Sequence, residues 1–165
     1  MQKSLTKAVL LGCVLASTPV LAEDVMTVRQ MSLDLGAEIA RKAVDACFEQ
    51  GYQASAVVVD RAANVLVSMR HPNASKFTTE IATRKANTVI LSSVSTGEFK
   101  KNRADIINEM NLLDDIMVLE GGLPIQAAGS LLGAVGVSGA PGGDKDAACA
   151  KKGIDAVQER LDFAE

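Results

Sequence analysis

The stretch "GAVGVSGAPGGDKD", Gly133 to Asp146, decides between two folds. Small apolar residues spaced by glycines run into a turn and then into a helical pattern. In a parallel nucleotide-binding fold, such a turn opens a crossover helix and cradles phosphate. The hydrolase version also needs a lysine and a hydroxyl directly after its glycines. Here Gly142 and Gly143 are followed by Asp144, Lys145 and Asp146. Carboxylates in that position repel phosphate, and no strand pattern follows to complete a parallel crossover. The stretch therefore predicts a strand, a sharp glycine turn and a final helix over 144–163 capped by Asp144. Gly133, Gly136 and Gly139 predict a bulge or the close approach of something large.

Upstream of this stretch, short apolar runs recur. "ASAVVVD" (54–60) is β-branched throughout and reads as a strand buried on both faces. "VLVSMR" (65–70) alternates, and the four-residue link between the two runs makes a hairpin. Ile116 to Glu120, "LPIQAAG" and "LLGAVGVSG" read as three further strands, with turns at Gly121-Gly122 and Gly129-Ser130. Three helical segments frame the strands. The first runs over 32–50, with Ser32 as N-cap, Gly51 as stop, and Leu35, Ile39, Ala40, Ala43, Val44 and Cys47 on one face. The second runs over 76–93, capped by Asn73 or Ser75, and the third closes the chain with Ala147, Ala150, Ile154, Val157 and Leu161 on its inner stripe. The stretch "STGEFKKNRADIINEM" predicts a short helix and an irregular surface segment. Short links favour antiparallel pairing, and strands this apolar need cover on both sides. The expected fold is α+β: a five-stranded antiparallel sheet with helices on both faces, the first and last helices on one side.

Residues 1–22 read as a leader. Lys3 and Lys7 make a basic start, Ala8 to Ala16 an apolar run, and Val20 and Ala22 a small-residue cleavage pattern. The run is shorter than the roughly 20 residues a bilayer span requires. A lipoprotein reading of "LLGC" (10–13) competes, but it leaves almost no apolar run after Lys7. The expected mature unit is a single domain over 23–165, in the periplasm or the medium. The chain has 17 Lys and Arg against 20 Asp and Glu, a net charge of −3. Loss of the two leader lysines makes it more acidic, which argues against a nucleic-acid partner and an anionic membrane surface; with no second apolar run long enough to span a bilayer, no membrane insertion is expected. Cys47 and Cys149 are left as two buried thiols or, in an oxidising compartment, one disulfide.

"GAVGVSGAPGGDKDAACAKKGIDA" resembles the C-terminal signature of the GlcG/HbpS family. "EGGLPI", with Gly121, Gly122 and Pro124, is similar to that family's Gly-Gly-x-Pro turn. "VVVDRAANVLVSMR" is similar to its first hairpin, Asp60 included, and "EIATRKANTVI" to its Ala-x-x-Lys-Ala helix, here Ala82, Lys85 and Ala86. The resemblance covers nearly the whole mature chain. It implies a profilin-like sheet, homo-oligomers and haem binding for sequestration, sensing or transfer. Other members of the family are domains of corrinoid-related enzymes or proteins of unsettled activity.

The side chains themselves offer little acid–base machinery. His71 is the one histidine, which excludes multi-imidazole metal sites, and no Gly-x-Ser-x-Gly elbow is present. The reading leans away from an enzyme. Haem needs only an apolar slot, cations for its propionates and an axial ligand. His71, at a strand end beside Arg70, is the first candidate ligand, against the competing reading of a loop histidine without a role. Met69 and Tyr52 are the alternatives, against core packing and a surface turn respectively. Lys85, set among small residues, is expected to reach a carboxylate, either of a ligand or of Asp60 or Glu120. The Glu120-Gly121-Gly122 turn would let a flat ligand approach the backbone. The expected slot therefore lies between the His71 loop, Lys85 and that turn. The competing functions are a binding or sensor module for an organic acid or a corrinoid, and an oligomeric adaptor that holds no ligand.

Overall fold

A computed structural model describes residues 27–164. The expected leader over 1–22 lies outside the described residues. Among those described, no helix is long and apolar enough to cross a membrane. The chain opens with α1 (Leu33–Glu49), whose N-terminus is capped by the Ser32 side chain accepting from the Leu35 N–H. Its buried face is Gly36, Ile39, Ala40, Ala43, Val44 and Cys47, the three- and four-residue spacing of an amphipathic helix. A hairpin follows, β1 (Ser55–Asp60) and β2 (Val65–Arg70). Asp60 ties its turn: Oδ1 accepts from the N–H groups of Ala62 (2.8 Å) and Asn64 (2.9 Å), and Oδ2 from Asn64 Nδ2 (3.0 Å). Next come α2 (Lys76–Ser92), capped by Ser75, and the short helices α3 (Thr96–Asn102) and α4 (Ile107–Met110). The second hairpin is β3 (Gly122–Ala127) and β4 (Ser130–Ser138), turned by Ala128 and Gly129 with φ of 45° and 74°. Two positive-φ residues match the right-handed twist of the flanking strands. The chain closes with α5 (Gly143–Asp155) and α6 (Gln158–Asp162).

The sheet order is β2-β1-β4-β3, and every pairing is antiparallel. The alternation of β1 sorts its side chains between two cores. Ala56 and Val58 pack with Val135 and Val137 under α1 and α5. Val57 and Val59 pack with Ala134 under Ala82, Ala86 and Val89 of α2. Helices thus cover both faces, with the first and last long helices on the same side. Cys47 and Cys149 meet there as a disulfide with Cα atoms 5.3 Å apart. The large object that approaches Gly136 is α2: a Cβ on Gly136 would lie 1.9 Å from the Ala82 carbonyl oxygen.

Three expectations are corrected. The described sheet has four strands rather than five, because Ile116–Glu120 is not a strand. Its backbone groups go to local turns, Ile116 N–H to the Leu113 carbonyl and Leu119 N–H to the Met117 carbonyl, and to two side chains instead of a neighbouring strand. Thr88 Oγ1 donates to the Met117 carbonyl and accepts the Met117 N–H, both at 3.0 Å, and Asn111 Oδ1 accepts the Val118 N–H at 2.8 Å. The segment is held along the outer side of α2. Second, Asp144 does not cap the final helix: the N-cap is Gly142, which has no side chain to accept a bond, and Asp144 already sits in the first turn. There its charge faces the helix dipole without closing a hydrogen bond. Third, the final helix is interrupted at Ala156 and Val157, which separate α5 from α6.

Candidate functional site

Of the residues singled out from the sequence, Met69, Arg70 and His71 line one hollow and Lys85 and Glu120 a second, with no lining residue in common. The first lies between α1 and the end of β2. It has a volume of 420 Å³ and is lined by Arg41, Val44, Asp45, Phe48, Met69, Arg70, His71 and Pro72. Strand geometry accounts for half of this wall. Met69 and His71 are two residues apart, so they leave the chain on the same side, the side that faces α1. Helix geometry accounts for the rest: Arg41, Val44, Asp45 and Phe48 share one stripe of α1 at steps of three, four and seven.

His71 is held from two directions. Its ring stacks on Phe48 with centroids 4.7 Å apart and planes 18° apart. Its Nδ1 accepts the Asn73 backbone N–H at 3.2 Å, and among the described residues Nε2 has no hydrogen-bond partner. The ring belongs to a tight turn closed by the Ala74 N–H on the His71 carbonyl at 2.9 Å. Arg70 binds the same turn, its Nη1 donating to the carbonyls of His71 (3.3 Å), Pro72 (3.0 Å) and Ala74 (2.5 Å). Arg41 is the exposed cation on the opposite wall, with Asp45 beside it. Tyr52 lines neither of the two hollows. It is half-buried against the α1–α5 core, and the Lys145 ammonium lies 5.6 Å from its ring centroid.

The second hollow, of 290 Å³, is lined by Ile81, Lys85, Lys100, Leu119, Glu120, Ser138 and the 140–146 turn, including Asp144 and Asp146. Lys85 is buried and has its carboxylate, but the partner is neither Asp60 nor Glu120. Its Nζ donates to Asp146 Oδ2 at 2.7 Å and to the Val137 carbonyl at 3.0 Å. Asp60 is committed to its hairpin turn at the other end of β1. Asp146 also accepts the Ala140 N–H at 2.9 Å. Burial pushes the Asp146 carboxyl above its ordinary range, against the pull of the Lys85 ammonium and the backbone donors. The pair ties α2, β4 and α5 together. Gly121 and Gly122 are buried behind it: a Cβ on Gly121 would be 2.8 Å from Lys85 Nζ, and one on Gly122 2.6 Å from the Lys85 carbonyl oxygen. These two glycines make room for α2 and its lysine.

The structure therefore brings His71, Met69 and Arg70 together, and separately Lys85, Glu120 and the glycine turn. Sequence reasoning missed Arg41, Asp45 and Phe48, although their spacing on α1 was available as a signal. Asp146 was also missed as the partner of Lys85. They stand 61 positions apart, and no local pattern could have paired them.

Residues 31–155 match the family described as haem degrading protein HbpS-like. The chain is similar to the solved structure of a double mutant of HbpS from Streptomyces reticuli, at 32% identity and a TM-score of 0.77, covering 86% of this chain and 98% of that one. The protein ORFY of Klebsiella pneumoniae is similar at 24% identity and a TM-score of 0.76, covering 84% and 97%. PduOC, solved in a complex with haem, is similar at 24% identity and a TM-score of 0.68, covering 78% and 95%. No curated protein matches the chain.

Proposed function

From the premise that this chain belongs to the HbpS-like family of haem degrading proteins, we propose that it binds haem in the hollow between α1 and β2. One observation carries the reading: the single histidine and Met69 open into the same 420 Å³ hollow. That volume lies in the range of small-molecule sites, roughly 300–1,000 Å³. The donor set suits a haem iron, since imidazole and thioether are both axial ligands. Val44 and Phe48 supply apolar wall, and Arg41 supplies an exposed cation for a propionate. Haem, when bound, would bring an iron centre for redox or ligand chemistry. The protein's part is to hold the macrocycle, offer His71 or Met69 to the metal, and pair the propionates. The same fold accommodates haem in PduOC.

The proposed role is sequestration, sensing or transfer, because the hollow offers one imidazole and few acid–base groups. Export belongs to the proposal. Residues 1–22 have the pattern of a cleaved leader, and the buried Cys47–Cys149 disulfide suits the periplasm or the medium. Self-association is proposed from the exposed apolar side chains Leu91, Leu112, Leu113 and Leu119 on and beside the outer side of α2. Hemin titration followed at the Soret band tests the binding. A saturable shift with one hemin per chain is expected, and its absence would return the organic-acid, corrinoid and adaptor readings to the front. The native mass of the protein with and without hemin tests self-association.

A further inference from the structure

We propose that Arg70 is a positioning residue that controls when His71 can take iron. This rests on the haem reading above. The nitrogen of His71 that accepts the Asn73 N–H, Nδ1, must present a lone pair. A neutral imidazole then carries its hydrogen on Nε2. In that arrangement neither nitrogen is ready for a metal, since one is already engaged and the other holds a hydrogen. Coordination through either nitrogen requires the Asn73 N–H to leave the ring.

Asn73 cannot leave alone. It is the third residue of the turn closed by the Ala74 N–H on the His71 carbonyl. Pro72 stands at the second position, where its fixed φ pre-sets such a turn. The two N–H groups of Arg70 Nη1 are shared among the carbonyls of His71, Pro72 and Ala74, with the shortest bond to Ala74. These are charge-assisted bonds, the stronger kind. Arg70 thereby holds the turn closed, and the closed turn holds His71 on Asn73. Phe48, stacked on the ring, keeps the imidazole in place while the turn opens and recloses. The consequence is a gated capture in two steps: the turn opens, then iron binds.

Stopped-flow mixing of the full protein with hemin reads the gate directly. In the wild type the observed Soret rate is expected to level off at high hemin, because turn opening becomes limiting. Arg70→Ala is expected to raise that plateau roughly tenfold, the equivalent of one charge-assisted bond. Arg70→Lys, which can still donate to the three carbonyls, is expected to keep the wild-type plateau. Nitrogen-15 NMR of the hemin-free protein supplies a readout that needs no haem. His71 is expected to carry its hydrogen on Nε2 in the wild type and to sample both forms in Arg70→Ala. A wild-type rate linear in hemin throughout, or an Arg70→Ala plateau equal to the wild type, overturns the gate and leaves haem binding standing. Absence of any Soret response removes the haem reading itself, and the NMR comparison then decides whether Arg70 sets the ring. A hydrogen on Nδ1 of wild-type His71 overturns the proposal outright.

Discussion

Replacing Lys85 by Met removes the one cation that, among the described residues, pairs with Asp146 inside the protein. The two side chains are 3% and 5% exposed and 2.7 Å apart. Taking away one partner of such a pair leaves a buried charge uncompensated, at a cost of about 3–5 kcal/mol. For a domain of this size that corresponds to a melting temperature lower by roughly 10–20 °C. Adding Asp146→Asn should recover about half of the loss, because the amide is neutral yet its oxygen can still accept the Ala140 N–H. The pH dependence follows from the carboxyl. Burial already raises its pKa in the wild type, and without Lys85 only the backbone N–H donors are left to oppose that rise. A carboxyl whose folded pKa lies above its unfolded value favours the folded state at low pH and loses that advantage as pH climbs. The stability gap between Lys85→Met and the wild type should therefore be wider at pH 8 than at pH 5. Urea denaturation followed by circular dichroism at the two pH values measures it. A gap below about 1 kcal/mol, or one that does not change with pH, would refute the view of Lys85 as an internal clamp.

Three other outcomes follow from the structure. Replacing both Cys47 and Cys149 by Ala should cost about 3–4 kcal/mol in urea denaturation, since the bridge closes a long loop, with a sequence separation of 102 residues. Asp60→Ala should cost about 1 kcal/mol by freeing the first hairpin turn. Because the Asn64 side-chain bond holds the Asp60 carboxyl below its ordinary value of 3.8, that contribution is present above this pH and lost as pH falls through the lower folded pKa. The melting temperatures of variant and wild type should therefore converge in strong acid. Gly136→Ala should destabilise by about 3 kcal/mol or more, or prevent soluble expression, because the new methyl meets the Ala82 carbonyl oxygen and α2 must move bodily.

Much of the architecture was legible where local chemistry decides it. The faces of α1, the Ser32 cap, the first hairpin and the two-sided cover of the sheet follow from period, turn residues and apolar content, and Ser75 was one of two candidate caps for α2. The fifth strand was misread because "IMVLE" (116–120) has strand composition. Thr88, 29 residues away in sequence, and Asn111, just upstream, bind its backbone instead. Composition describes what a segment prefers, whereas pairing depends on which partner arrives. The same limit applies to the site. Met69 and His71 share a wall because of strand period, which a sequence displays. The hollow opposite them depends on α1 crossing β2, and the separation of Lys85 from His71 depends on their lying on different elements, which a sequence does not display.

The haem reading meets its most direct test in hemin titrations of the wild type and of His71→Ala, run side by side at the Soret band. The account predicts a saturable shift in the wild type and, in the variant, an altered spectrum with affinity weaker by about tenfold or more. Identical spectra and affinities for the two proteins would place the haem elsewhere and contradict it.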